Sequence, residues 1–138
     1  MTVSPDVAGH WAAVRSLLEG SDPVRPLRVF VSDAGAEPVL PYVVLHPSGS
    51  AGQVTSTDGD TDWRDWPFQI TAVGTDPDQA LAAAQRAEER VLDIRPAVPG
   101  RVTGPVRKTL TFPLVADRSK RPAVYVARDT WTFASTPA

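Results

Sequence analysis

The sequence predicts an α+β domain in which two helices pack on one face of a mixed, mostly antiparallel β-sheet. Three observations support this prediction. Two segments repeat apolar residues at helical spacing, five segments have the composition or alternation of strands, and the two kinds are interleaved as α-β-β-β-α-β-β. The chain of 138 residues is long enough for one domain, spanning 1–138, that buries its own core.

The first helix is predicted from its end signals and a single apolar stripe. Ser4 is placed to cap the helix, Pro5 occupies the first helical position, and Asp6 faces the positive end of the helix dipole. Gly20 is expected to end the helix. The stripe consists of Val7, Trp11, Val14 and Leu18.

Two strands and a long connection follow. The first strand is predicted at 27–31 and the second at 41–45, where near-continuous apolar character predicts cover on both faces. Residues 47–62 have no periodicity and are rich in Gly, Ser and Asp. Connections longer than about 12–15 residues inside compact domains are usually functional or disordered, so this loop is a candidate functional segment.

The third strand has the clearest alternation in the chain. Its expected inward residues are Trp66, Phe68, Ile70 and Ala72. Pro67 has no N–H to donate, so the start of this strand is expected at a sheet edge or a bulge.

The second helix is predicted from Asp76 as its cap, Pro77 at its first position and Gln79 completing a capping box. Pro96 is expected to end it, and Arg90 is expected on its solvent side. The predicted buried stripe is Ala80, Ala84, Ala87, Val91 and Ile94, and its small residues predict close packing on the sheet.

A β-hairpin over 106–134 closes the chain, with a basic tip at 117–122. The apolar residues of its first arm are Leu110, Phe112 and Leu114. Asp129 lies on the inward face of the second arm, which leaves two alternatives: Asp129 is buried with a partner, or a bulge at Arg128–Asp129 switches the phase.

Composition excludes several kinds of site. Without cysteine the chain has no disulfide, thiolate zinc site or cysteine nucleophile. No apolar run reaches the roughly 18–20 residues that cross a bilayer. The N-terminal residues also lack the pattern of a signal peptide, so we expect a cytoplasmic product that does not contact membrane.

Charge is unevenly distributed along the chain. Residues 1–85 hold four Lys or Arg and eleven Asp or Glu, a net of −7, whereas residues 86–138 hold ten and five, a net of +5. Either the folded chain keeps acidic and basic surfaces that suit head-to-tail packing of identical subunits, or the two halves intermix and their fields cancel.

The candidate chemical sites are weak. A hydrolytic triad would need His10 or His46, and Ser50 lacks the Gly-x-Ser-x-Gly spacing of a nucleophile elbow. The aspartates of the long loop resemble the start of a calcium loop, but Trp63 and Gln69 stand where that loop needs Gly and Glu. We therefore predict no catalytic, metal or cofactor-binding residue, no cofactor, and a protein that is not an enzyme.

Interfaces are the more promising feature. The acidic loop is expected either to be solvated or to meet a basic partner. The basic hairpin tip, unless it is only a solvated turn, is a suitable partner for the acidic loop of a neighbouring subunit. Tryptophan is enriched at interface hot spots, which makes Trp63 an expected contact residue. The predicted interface residues are Asp58, Asp60, Asp62, Trp63, Asp65, Arg118, Lys120 and Arg121.

The order of elements and several local sequences resemble the tail terminator (tail completion) proteins of long-tailed bacteriophages, over nearly the whole chain. The resemblance is carried by the apolar first helix, Pro41-Tyr42-Val43-Val44-Leu45 before a variable loop, Trp66-Pro67-Phe68-Gln69-Ile70-Thr71-Ala72, the Ala/Arg-rich helix from Asp76 to Ile94, and the hairpin from Thr109 to Phe133.

This resemblance implies a structural virion protein, made in the host cytoplasm, that forms a hexameric ring at the head-proximal end of the tail tube. Such a ring stops tube polymerisation and provides the surface for head–tail joining. The implied partners are other copies of this chain, the tail tube protein and the head–tail connector or neck proteins, with DNA only passing through the lumen.

Two alternatives remain open at the level of sequence. One is another ring protein of the neck. The other, from a different class, is a small ligand-binding or enzymatic α+β dimer.

Overall fold

The computed structural model describes residues 6–20, 27–35, 38–48 and 64–138, and it confirms the α+β class. The helices are α1 (Val7–Glu19) and α2 (Pro77–Val91). The strands are β1 (Val29–Val31), β2 (Tyr42–Pro47), β3 (Arg64–Gly74), β4 (Arg101–Thr103), β5 (Arg107–Thr111), β6 (Val115–Asp117) and β7 (Val124–Pro137).

The strands form one mixed, mostly antiparallel sheet, as predicted. Its order is β1-β2-β3-β7, and β6, β5 and β4 follow one another along the outer edge of β7. The β1–β2 pair is parallel and the remaining pairs are antiparallel. Because β3 and β7 pair over eleven positions, these two strands form the centre of the sheet.

Both helices cover the same face of the sheet. The inward residues predicted for β3 are all buried there. They pack with Trp11, Val14 and Leu18 of α1, with Ala83, Ala87 and Val91 of α2, and with Trp131 and Phe133 of β7. A smaller cluster of Tyr42, Val44, Val73 and Val124 lies on the opposite face, which confirms that β2 is covered on both sides.

Pro67 lies at a local edge, as expected. The pairing of β2 with β3 ends at Pro47 and Phe68, so no β2 backbone faces Pro67. The hydroxyl of Ser48 instead donates to the Pro67 carbonyl at 2.8 Å. Proline is tolerated here because no ladder hydrogen bond is lost.

The predicted start of α1 is wrong. Asp6, not Ser4, is the cap, and its carboxylate accepts from the Gly9 N–H at 2.9 Å. Ser4 and Pro5 lie outside the described residues. Gly20 ends the helix as predicted, with a φ of 60° that favours glycine.

The second helix begins as predicted, with Asp76 accepting from the Gln79 N–H at 2.8 Å. The Gln79 side-chain oxygen in turn accepts from the Thr75 N–H at 2.6 Å, one residue before the N–H that a capping box usually uses.

The end of α2 and part of its stripe differ from the prediction. The helix ends at Val91, before Pro96, and Asp93 turns the chain with a φ of 61°. Ile94 is therefore exposed, and the buried stripe uses Ala83, with Ala84 only half-buried.

Arg90 was predicted on the solvent side of α2, and this is wrong. Its guanidinium donates to the carbonyls of Leu18 and Glu19, the last residues of α1. Those carbonyls have no partner within the helix, and a cation is favoured there by the helix dipole. Arg90 thus joins the two helices.

The closing hairpin has one continuous arm, β7, and one broken arm, β5 and β6. Leu110, an apolar residue of the broken arm, is 53% exposed. The connection before the hairpin also contains β4, which was not predicted. The outer strand β5 is bulged at Thr109, which helps to protect a sheet edge from unwanted pairing.

Neither alternative for Asp129 is correct. It pairs in regular register with Ile70, so β7 has no bulge there against β3, and its side chain is half-buried. The register shift lies instead in β5, between Lys108 and Leu110. Asp129 lines a shallow groove beside the ion pair of Lys108 with Glu88.

The acidic and basic halves of the sequence share a single sheet. Strand β7 from the basic half pairs along the whole of β3 from the acidic half. The two halves of the sequence are therefore not separate in space, and any charge complementarity between copies lies at particular surfaces.

Candidate functional site

A buried polar cluster joins the two ends of the described chain. His10 of α1 and Ser135 of β7 are both completely buried, and His10 Nε2 lies 2.8 Å from Ser135 Oγ. Trp66 Nε1 donates to the same oxygen at 2.9 Å. Arg101 of β4 donates to it from Nε at 3.2 Å and from Nη2 at 3.0 Å.

The hydrogen bonds fix the protonation of His10. Its Nδ1 lies 2.6 Å from the backbone carbonyl of Asp6, which can only accept, so Nδ1 carries the proton. Nε2 is then an acceptor, and the Ser135 hydroxyl donates to it. The lone pairs of the serine oxygen remain to receive Trp66 and Arg101, so the hydroxyl, the indole N–H and both imidazole nitrogens have partners.

The Ser135–His10 pair has the composition of a nucleophile with its base, but it is sealed. Neither side chain has exposed surface, and the His10 ring stacks on Trp66 with centroids 3.7 Å apart. A substrate cannot reach the serine, so the geometry supports stability and not hydrolysis. Sequence reasoning missed this cluster, because its members are 125 residues apart and no local spacing connects them.

Protonation of His10 opposes this arrangement. Burial lowers the pKa of His10 below its ordinary value of 6.5, the Asp6 carbonyl acts in the opposite direction, and the Arg101 guanidinium lowers it further. Once Nε2 carries a proton, the Ser135 hydroxyl has no acceptor left in the cluster. Between pH 6.5 and its lower folded pKa, His10 is therefore mostly neutral in the folded protein and mostly protonated in the unfolded chain.

For this reason, the free energy of unfolding should decrease as the pH is lowered. The contribution of His10 is complete above pH 6.5, is lost as the pH falls below 6.5, and levels off below the folded pKa. Denaturant unfolding at several pH values measures the slope. His10→Gln should flatten the slope; an unchanged slope would contradict the assignment. Burial also lowers the pKa of His46, so His46→Gln serves as the comparison that retains the His10 part.

The hairpin tip places the predicted basic residues together in solvent. Arg118, Lys120 and Arg121 are all exposed. Asp117 folds the tip by accepting from the Ser119 N–H at 3.0 Å and the Ser119 hydroxyl at 2.6 Å. Those bonds lower the pKa of Asp117, so the turn keeps its carboxylate charged.

A pocket of about 400 Å³ opens beside this tip. Its apolar wall includes Leu40, Tyr42 and Val124, and the charged residues that line it are Lys120 and Arg121. Burial raises the pKa of the Tyr42 hydroxyl, and the nearby carboxylates of Asp117 and Asp33 add to this effect. An apolar hollow with a basic rim fits a side chain that is itself apolar and flanked by negative charge.

The predicted acidic residues are placed only in part. Asp65 is half-buried in β3 opposite Ala134 and lines a small hollow with Arg107. The other predicted acidic residues, Asp58, Asp60 and Asp62, lie outside the described residues, as does Trp63. Asp65 and the basic tip are not brought together within one chain.

The residues that the structure describes contain neither a metal-binding cluster nor a membrane-spanning helix. In that part of the chain, no group of three His, Cys, Asp or Glu side chains is arranged to hold a metal ion. Neither described helix is long and apolar enough to cross a membrane.

Comparison with known proteins shows a similarity to a solved structure over nearly the whole chain. No protein-family model and no curated protein matches this chain. A chain in the solved structure of the virion of the native gene transfer agent (GTA) particle is similar, with a TM-score of 0.72. The match covers 94% of this chain and 97% of that one at 15% identity, so it establishes a shared fold over nearly the full length of both.

Proposed function

We propose that this protein is a structural component of a phage-like virion and not an enzyme. The proposal is carried by the shared fold with a chain of the gene transfer agent virion, because the match spans almost all of both chains. The sealed Ser135–His10 pair supports it, since this arrangement has the residue types of a hydrolase but gives a substrate no access.

Within that class we propose the role of tail terminator. Copies of the chain would form a ring, expected to be hexameric, on the head-proximal end of the tail tube. The ring would bind the last layer of tube protein, present no surface for another layer, and offer its opposite side to the connector or neck proteins. DNA would pass through the lumen without specific contacts, because strong affinity for DNA needs many neutralised phosphates.

The proposed contact residues are those of the acidic segment and the hairpin tip. The tip is exposed and positively charged at Arg118, Lys120 and Arg121, which suits a rim contact that steers association. The acidic partners would be Asp58, Asp60, Asp62 and Asp65, with Trp63 as an apolar anchor.

The test combines solution mass with particle images. The purified protein is measured alone and after mixing with the tail tube protein of the same virion. We expect rings, and tubes capped at one end that stop growing. A protein that remains monomeric in both conditions would contradict the ring. Rings that bind the connector but do not stop tube growth would contradict the terminator role and indicate another ring protein of the neck.

A further inference from the structure

The pocket beside the hairpin tip lies at one end of the sheet. Tyr42 of its wall pairs with Val73, near the end of β3, and Thr75 lies just beyond that end. The acidic segment enters β3 at Arg64, at the other end of the same strand. Val73 is nine residues from Arg64, a separation of about 30 Å at 3.3–3.4 Å per residue.

This separation prevents the acidic segment from reaching the pocket of its own chain. Trp63 is bonded to Arg64, so their Cα atoms are about 3.8 Å apart. Asp58 is six residues before Arg64, which limits the distance between them to about 20 Å even in a fully extended chain. Any contact between segment and pocket is therefore made between two copies.

We propose that the pocket formed by Leu40, Tyr42, Val124, Lys120 and Arg121 binds the segment 56–65 of a second copy, with the Trp63 indole against the apolar wall. The carboxylates of Asp60 and Asp62 pair with the ammonium and guanidinium groups on the rim. The proposal deepens the self-assembly proposed above and rests on it.

The chemistry of pocket and segment is complementary. The charged residues lining the pocket, Lys120 and Arg121, are both basic, and its wall is apolar. The segment 56–65 (Ser-Thr-Asp-Gly-Asp-Thr-Asp-Trp-Arg-Asp) has four aspartates, one arginine and one tryptophan. Tryptophan and buried apolar contact supply affinity at interfaces, while flanking charges supply orientation and rate.

The geometry is also compatible with the assembly that the terminator role needs. Segment and pocket are different surfaces at opposite ends of one sheet, so each copy can offer one surface to each neighbour. When the segment and the pocket of one copy bind two different neighbours, the contact is heterologous and generates a closed ring or an open filament; when two copies exchange segments reciprocally, it gives a two-fold dimer instead. The heterologous contact is the type that a ring-forming subunit needs.

The first experiment measures binding of a labelled synthetic peptide of residues 56–65 by fluorescence anisotropy. The receptor is the full chain carrying Trp63→Ala, which leaves its own pocket free. We expect saturable binding that weakens about tenfold when the peptide carries Trp63→Ala. A similar loss is expected with Lys120→Glu/Arg121→Glu in the receptor, because the charge pairs are removed. Absence of binding, or equal binding by all forms, would overturn the proposal.

A matched control separates the pocket from overall charge. Arg15→Glu/Arg107→Glu changes the net charge by the same amount at two exposed sites away from the pocket, and it should leave peptide binding unchanged. Equal weakening by both double variants would show nonspecific attraction and overturn the site. High salt should weaken the native contact, because the Debye length falls to about 3 Å at 1 M.

Mixing two variants tests the contact in the assembly. Lys120→Glu/Arg121→Glu and Asp60→Lys/Asp62→Lys should each assemble poorly alone, whereas their mixture should assemble because it restores native and charge-swapped contacts. If rings cap tubes normally and all these variants behave as wild type, the proposed contact between segment and pocket is wrong, and the terminator proposal is retained. If the peptide binds but no ring or capped tube forms, the pocket stands and the terminator proposal fails.

Discussion

Ser135→Ala is expected to lower the free energy of unfolding by about 2–4 kcal/mol, because it removes the oxygen at the centre of the buried cluster. Trp66 Nε1 and the Arg101 guanidinium would lose their acceptor, and His10 Nε2 would lose its donor. A buried polar group left without a partner costs its full desolvation penalty. Arg101 keeps its bond to the Ser135 carbonyl at 3.0 Å, which limits its share of the loss.

Denaturant unfolding of wild type and variant provides the measurement. Ser119→Ala is the matched control, because it deletes the same hydroxyl from an exposed turn, where Ser119 contacts Asp117. We expect the control to change the free energy of unfolding by about 0.5 kcal/mol or less. A Ser135→Ala protein as stable as the control would show that water or a rearranged Arg101 satisfies the cluster.

Gly74→Ala is expected to destabilise the protein by about 2–3 kcal/mol through overpacking. A Cβ atom at Gly74 would lie 2.5 Å from the backbone nitrogen of Ala80 and 2.9 Å from the carbonyl carbon of Gln79. Both are backbone atoms of the first turn of α2, so the clash can be relieved only by moving the helix. Such a shift would also loosen the packing of Ala83 and Ala87 against β3.

Gly104→Ala is the appropriate control for this substitution. A Cβ atom there would have its nearest neighbour at 3.8 Å, an ordinary van der Waals contact with the Ala134 carbonyl. The same chemical change should therefore be tolerated at Gly104 and costly at Gly74, as measured by thermal or denaturant unfolding. Equal effects at the two sites would contradict the close approach of α2 to the end of β3.

The fold class was predictable because its signals are local. Alternation along β3 identified the buried face, and the Asp76–Pro77 pair identified the start of α2, since capping and strand periodicity depend on neighbours a few residues apart. Local signals were weaker at element ends. Asp6 replaced Ser4 as the cap of α1, and α2 ended before Pro96, because several residues near each end satisfy the same rule.

The candidate sites were predictable only in part, for a related reason. The basic tip could be read directly from the residues between two strands, and it is exposed as expected. The wall of the neighbouring pocket could not be predicted, because Leu40 and Val124 are far apart in sequence and are brought together only by the sheet. The role of Arg90 could not be predicted either: it was expected on the solvent side of α2, but its guanidinium binds the C-terminal end of α1.

The sequence by itself determined that this is an α+β chain with an acidic segment before its central strand and a basic turn before its last strand. Those features are encoded by composition and spacing within short windows. Tertiary structure alone decided that Ser135 and His10 meet in a sealed cluster, and that segment and pocket lie at opposite ends of one sheet. Contacts between residues far apart in sequence depend on strand order and register, which no local pattern specifies.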